Sequence, residues 1–252
     1  MIPIFTTASA KGKPSQALKE VPRKTGESNM AWLERNLKGE KDGVRLVLLG
    51  GRNLTGFRLR IAQAHVRHDF TPSWWSHVAL LVEIARTLGA SQAYEISLEP
   101  PQGFGSAPST NGVQVVSLNR YDDAKAFPNI GVIRIGAVSK QAILDALEQF
   151  QGQRTVLDAL ELVLKWQGYT WGVGRTGNPL LDGQGIPSAA MMDVVFSAAG
   201  FELTPGLESR SSCPEAIWQA AKWWHQYYAR EKQANVPQGS YCVSHAFFPP
   251  EE

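Results

Sequence analysis

The sequence predicts an α+β fold in which an antiparallel sheet packs against helices, and two features of its patterning carry that expectation. Short runs rich in branched apolar residues fill the first half of the chain, and helix-length amphipathic segments fill the second. The connections between the clearest strand runs hold Gly89 in one case and the segment PPQGFGSAPSTNG in the other, which suits antiparallel neighbours. With 252 residues and 43% hydrophobic content, the chain can bury a substantial core.

The expected elements follow in order. Residues 8–29 are polar, contain Pro and Gly and lack apolar periodicity, so 1–29 reads as a flexible N-terminal tail and 30–252 as a single domain. A short helix over 30–37 precedes VRLVLL at 44–49, a buried strand ending at Gly50-Gly51. Residues 58–66 suit a helix or turn, and strands are expected at 78–84, 93–98, 113–118 and 131–135. Ser139 caps a helix over 140–150, and Leu157, Leu160, Leu162, Val163 and Trp166 mark another over 155–166. Residues 189–199 form a helix closed by Gly200, and a last helix runs from Pro214 to about 232 as a C-terminal extension. Its Trp218, Trp223, Trp224, Tyr227 and Tyr228 read as the packing face of an amphipathic helix, with a lipid-facing or partner-docking surface as the alternative.

Composition narrows the function. Net charge is +2 and the basic residues are spread along the chain, which argues against a nucleic-acid partner. Cys213 and Cys242 are too few for a disulfide framework, although one bridge between them stays open. Neither stands in metal-type spacing with the five histidines, so no metal or cofactor is expected. No window reaches the length of a membrane span, and the first ten residues lack a secretory pattern. The expectation is synthesis in the cytoplasm without a signal peptide, with export by a signal-independent route left open.

Two segments carry candidate chemistry. WWSHVALLVE at 74–83 puts His77 at the mouth of an apolar strand, a rigid mount from which an imidazole can reach a cleft; a core or surface histidine is the plain alternative. IPSAAMMDVVFSAAGFELTP at 186–205 puts Ser188 where a helix begins, so that unsatisfied N–H groups and the helix dipole would favour an anionic nucleophile or an oxyanion. An N-cap serine without chemistry is the alternative there. GVGRTG at 172–177 matches a phosphate-loop spacing, but it neither follows a buried strand nor opens a helix, and it reads as a loop. Cys213 also opens a helix and is a weaker candidate nucleophile.

Taken in order, LVLLGGR, WWSHVALLVE, AYEIS, GVQVVSL and the 186–205 segment resemble the circularly permuted branch of the NlpC-like papain superfamily, related to peptidoglycan endopeptidases and lecithin:retinol acyltransferase-like enzymes. The resemblance covers about residues 44–206, and it rests on motif order and spacing rather than on one decisive motif. It implies a papain-like, permuted antiparallel sheet packed against helices. It places Ser188 on the nucleophilic cysteine, Met191 and Met192 on a Leu-Val pair and Phe196 on a following aromatic. A shift of one residue would put Ala189 there instead, and alanine would be inert. His77 becomes the base and Glu95 in AYEIS the orienting group, with Ser97 on the same strand face as the fallback and a solvent-facing Glu95 as the plain alternative. Trp74 and Trp75 would flank the cleft as substrate walls, or serve as core.

A serine at this position is a far weaker nucleophile than a thiolate beside imidazolium. Three explanations stand: a cysteine enzyme inactivated by a Cys-to-Ser replacement, which is the reading favoured here, a natural serine enzyme, or a pseudoenzyme that binds without turnover. The implied activity is a papain-like thiol hydrolase acting on an amide bond. Peptidoglycan peptide is the first substrate class, with a role as an antibacterial effector and with an immunity or secretion-apparatus protein as partner. Lipid-ester cleavage or acyl transfer is the rival within enzymes, and a catalytically silent binding module is the rival outside them.

Overall fold

A computed structural model describes residues 18–37, 43–99, 108–174, 176–223 and 237–245. Its α+β architecture is built on a seven-stranded mixed sheet in the order β1-β7-β6-β2-β3-β4-β5. The strands are β1 (Leu18–Glu20), β2 (Val44–Gly50), β3 (His77–Leu81), β4 (Gln92–Glu95), β5 (Gln114–Ser117), β6 (Asn129–Ile135) and β7 (Gln238–Cys242). The helices are α1 (Asn29–Leu37), α2 (Leu54–Ala62), α3 (Lys140–Gly152), α4 (Ala159–Thr170), α5 (Pro187–Ala198) and α6 (Pro214–Lys222).

VRLVLLG forms the central strand because both of its faces have apolar cover. Leu46 and Leu48 join a core with residues of α2 to α6, whereas Val47 and Leu49 join a second core with Met30, Trp32 and Leu33 of α1. The sheet is therefore the middle of three layers. Its alternation assigns each side chain to one cover or the other. Direct pairing of β2 with β3 (Leu48 with Val78, Leu49 with His77) carries the assignment to β3: Val78 and Leu80 face the α2–α6 core, and His77, Ala79 and Leu81 face the α1 side.

Three expectations change. The sheet is mixed rather than antiparallel, because β1 runs parallel to β7 at one edge. Residues 18–28 are not a loose tail: Leu18 is buried, Val21 N–H donates to Tyr241 O at 2.8 Å, Trp32 Nε1 donates to Val21 O at 2.8 Å, and Glu27 pairs with Arg35 at 2.7 Å. A three-residue strand held by main-chain bonds and one buried leucine has no periodicity for a sequence to display. Residues 1–17 of the expected tail lie outside the described residues. α6 runs from Pro214 to Lys222, and the rest of the helix expected to about 232, with Trp224, Tyr227 and Tyr228, also lies outside the described residues. The strand β7, absent from the sequence reading, pairs along β6. It needs Gly239, where a Cβ would fall on the Val132 carbonyl oxygen.

Caps and buried amides fix the helical layer. Asp158 accepts from Leu160 and Glu161 N–H and starts α4 four residues later than the apolar pattern suggested. Ser139 caps α3, its Oγ accepting from Ala142 N–H at 3.1 Å. Asn111, at φ 48°, donates to the carbonyls of Phe150, Gln153 and Leu157 and accepts from Ala159 N–H, so one side chain ties the end of α3 to the start of α4.

Candidate functional site

The turn into β3 sets the position of His77. Gly50 closes β2 where a Cβ would strike the Trp74 carbonyl oxygen, so the chain can pass directly over this glycine. Ser76 then locks the turn: its N–H donates to Leu49 O at 2.8 Å, and its Oγ accepts from Gly51 N–H at 2.9 Å. Asn129 of β6 braces the same turn, with Nδ2 donating to Trp74 O at 3.0 Å and to His245 O at 2.9 Å. The His77 ring starts β3 on the α1 side with its side chain 15% exposed, which leaves it reachable.

Glu95 ends β4 on the same face and is fully buried. His77 Nε2 lies 3.0 Å from Glu95 Oε2. An ionised carboxylate only accepts, so Nε2 carries the proton and Nδ1 keeps the lone pair. Tyr121 Oη–H donates to the same Oε2, and Arg120 Nη1 stands 4.0 Å from Oε1. Burial alone would push the Glu95 carboxyl up. The field and hydrogen bond of His77, the hydrogen bond of Tyr121 and the Arg120 guanidinium outweigh it and hold the group below its ordinary value of 4.5. Burial first, and then the Glu95 charge, drive the Tyr121 phenol well above its usual 10, so it acts only as a donor.

The structure thus brings together His77 and Glu95, and it adds Tyr121 and Arg120, which the sequence reading missed. Both arrive on the 3-10 turn Leu118–Tyr121, started by Ser117 Oγ accepting from Asn119 N–H. A one-turn helix between two loops has no periodicity to flag it, and a buried tyrosine reads as core. Ser97, the fallback for the orienting role, spends its hydroxyl on Glu99, donating to its carbonyl and accepting from its N–H, both at 3.1 Å.

Ser188 is not joined to His77. It follows Pro187 in the first turn of α5, 1% exposed, and its Oγ makes no hydrogen bond. Nor does it cap the helix, whose cap position is Ile186 without a side-chain bond. The physical reason for the separation is the pleat: α5 contributes Met191 and Met192 to the core that holds Val78 and Leu80, whereas His77 alternates to the other face. Ala189, the alternative position, is buried and carries only a methyl group.

Trp75 is core rather than a cleft wall, and Trp74 packs partly buried beside it. Trp75 is fully buried in the helix-side core against Trp218, ring centroids 5.2 Å apart, where so large a ring gains most from leaving water. Trp74 stacks on Tyr241 at 6.1 Å, with Arg67 at 5.1 Å and Lys222 at 5.9 Å from its ring. Cys213 is 1% exposed and its thiol is pushed up to about 12 by burial, the opposite of an activated nucleophile. Neither cysteine is bridged. At 172–174, Gly172 (φ 69°) and Gly174 (φ 64°) unwind the end of α4, with Val173 N–H donating to Gly168 O.

A surface groove lined by Glu34, Leu37, Glu83, Arg86 and Lys140 lies at the far end of β3 from His77 and contains none of these site residues. Among the described residues, no group of three or more His, Cys, Asp or Glu side chains is placed to hold a metal ion. None of the described helices is long and apolar enough to cross a membrane. Compared with known proteins, the chain matches no family model, no curated protein and no solved structure.

Proposed function

We propose that the chain is a papain-like hydrolase scaffold in which His77 is the base, Glu95 orients it, and Ser188, brought to His77 by a rearrangement at the start of α5, stands in for a nucleophilic cysteine. The observation that carries this reading is the 3.0 Å contact between His77 Nε2 and Glu95 Oε2. A buried carboxylate fixes one ring nitrogen as donor and leaves the other free to accept, on a largely buried ring that solvent still reaches. In this reading Nδ1 accepts the nucleophile's proton and returns it to the leaving group, and the bond cleaved is an amide. Peptidoglycan peptide is the first substrate class, and an antibacterial effector is the setting that suits it.

Ser188→Cys is the deciding variant, assayed side by side on purified peptidoglycan and on phospholipid vesicles, with alkylation of the new thiol followed in parallel. Cleavage of peptidoglycan peptides is the expected result, and vesicle hydrolysis would move the reading to lipid esters. A thiol alkylated no faster than Cys213 or Cys242, with neither substrate cleaved, would sink the catalytic reading.

The buried, unbonded Ser188 Oγ favours a second reading, in which the scaffold binds without turnover. Reaching His77 would require the start of α5 to rearrange. Binding of the same peptides by the unaltered chain, with no product after prolonged incubation, would support it.

A further inference from the structure

We propose that Tyr121 is a positioning residue for His77: its hydroxyl donates to the same Glu95 oxygen that accepts from His77 Nε2, fixing the carboxylate and, through it, the imidazole. The inference rests on the reading of His77 as a base and names a residue on which that base depends.

A glutamate carboxylate turns about a soft terminal torsion, so one hydrogen bond to an imidazole does not fix it. Glu95 has little else to hold it. Oε1 makes no hydrogen bond, and Arg120 Nη1, at 4.0 Å, is too far to donate to it. Tyr121 therefore supplies the second hydrogen bond on this carboxylate.

The phenol is itself held firmly. Its ring is 3% exposed, edge-on to Phe127 at 5.1 Å, and 5.9 Å from the His77 ring. Its backbone is tied to α1, because Asn29 Nδ2 donates to Tyr121 O at 2.7 Å while Met30 N–H donates to Asp122 Oδ1 at 2.8 Å. The order of restraint runs from α1 to Tyr121, then to Glu95, then to His77. In the base step the nucleophile's proton moves to Nδ1, leaving an oxyanion or thiolate. The Nε2 proton stays on the Glu95 side, and the tyrosine proton does not move.

The test is solvent exchange of the His77 Nε2 proton in the full chain, read by nitrogen-edited NMR at mildly alkaline pH. Tyr121→Phe keeps the ring and removes only the donor. Exchange about tenfold faster than in the unaltered chain is expected, with the backbone amide spectrum otherwise preserved, since one buried hydrogen bond is lost. Unchanged exchange in a folded Tyr121→Phe chain would overturn the proposal and reduce Tyr121 to packing. Should that variant fail to fold, the unaltered chain still decides: a slowly exchanging Tyr121 hydroxyl proton with a cross-peak to the His77 ring supports the proposal, and its absence refutes it. Faster exchange in Tyr121→Phe beside an inert Ser188→Cys chain would keep Tyr121 as the positioning residue while removing the hydrolase reading.

Discussion

His77 and Glu95, the first residue of β3 and the last residue of β4, meet through one 3.0 Å contact on the sheet face opposite α5. Glu95 is fully buried yet its carboxyl is held below 4.5, so it is charged in the folded protein across the neutral range. A carboxyl depressed on folding stabilises the fold above its unfolded value, and that contribution is lost as pH falls through the folded value. Glu95→Gln is expected to cost about 1–3 kcal/mol near neutral pH, the range for charge-assisted hydrogen bonds. It is also expected to flatten the acid limb of stability below about pH 4.5. Urea denaturation of both chains over that range checks it, and parallel acid limbs would refute an ionised Glu95.

Asp193 on α5 behaves in the opposite way. Burial raises its carboxyl from 3.8 to about 6, against hydrogen bonds from Thr204 and Ser209. The folded value now lies above the unfolded one, so the stabilisation is complete below about pH 4 and is lost as pH rises through about 6. A rise of that size corresponds to about 3 kcal/mol. Asp193→Asn keeps an acceptor for Thr204 Oγ1, which donates to Asp193 Oδ2 at 2.8 Å. The variant should be more stable than the parent by about 1–3 kcal/mol above pH 7 and no more stable near pH 4. A parent whose stability is flat between those values would remove the basis for this expectation.

What the sequence made legible follows physical lines. The runs at 44–49 and 131–135 announced β2 and β6 because both faces of these strands are covered, and apolar residues at every position leave a strong signature. Ser139, Pro214 and Gly200 marked helix ends through local backbone chemistry. The meeting of His77 and Glu95 was legible only through the resemblance that paired their two strand motifs, since alternation put Glu95 and Ser97 on one strand face without choosing between them. That Ser188 and His77 stand on opposite faces of the sheet was not legible, because a helix-start serine carries no mark of the sheet face its helix covers. That depends on the path of the chain through α3 and α4. Trp74 and Trp75 were open between cleft and core for a similar reason: their partners Trp218 and Tyr241 arrive from more than 140 residues away.

Arg67 and Glu215 form a buried ion pair at 3.3 Å beneath Trp74, with Ser73 Oγ donating to Glu215 Oε2 at 2.6 Å and Gln219 Nε2 donating to Oε1 at 2.6 Å. Burial pushes Glu215 up, and Arg67 opposes that shift. Arg67→Met would leave the carboxylate without its cation, at an expected cost of about 3–5 kcal/mol. In the double variant with Glu215→Gln, much of that loss should return, because no fully buried charge is left uncompensated; Asp69, the other partner of Arg67 at 3.0 Å, is 36% exposed. A single-variant loss under about 1 kcal/mol in urea denaturation would show that the pair does not compensate Glu215.

Cys213 gives the last prediction, and the Ser188→Cys assay depends on it. The thiol begins α6, where a helix N-terminus would ordinarily favour the thiolate, yet enclosure raises it to about 12. Two effects oppose each other at this position, and desolvation wins: the Glu215 charge pushes the thiol the same way, and the main-chain N–H groups of Glu215 and Ala216 offset only part of it. Native chain treated with iodoacetamide near pH 8 should leave Cys213 unlabelled for as long as the fold persists, and Cys242, 4% exposed on β7, should be shielded by enclosure alone. Both should react after unfolding in guanidinium. Rapid native labelling of Cys213, located by peptide mass, would mean that α6 opens readily, and thiol reactivity could then no longer distinguish an activated residue at position 188 from a background of local unfolding.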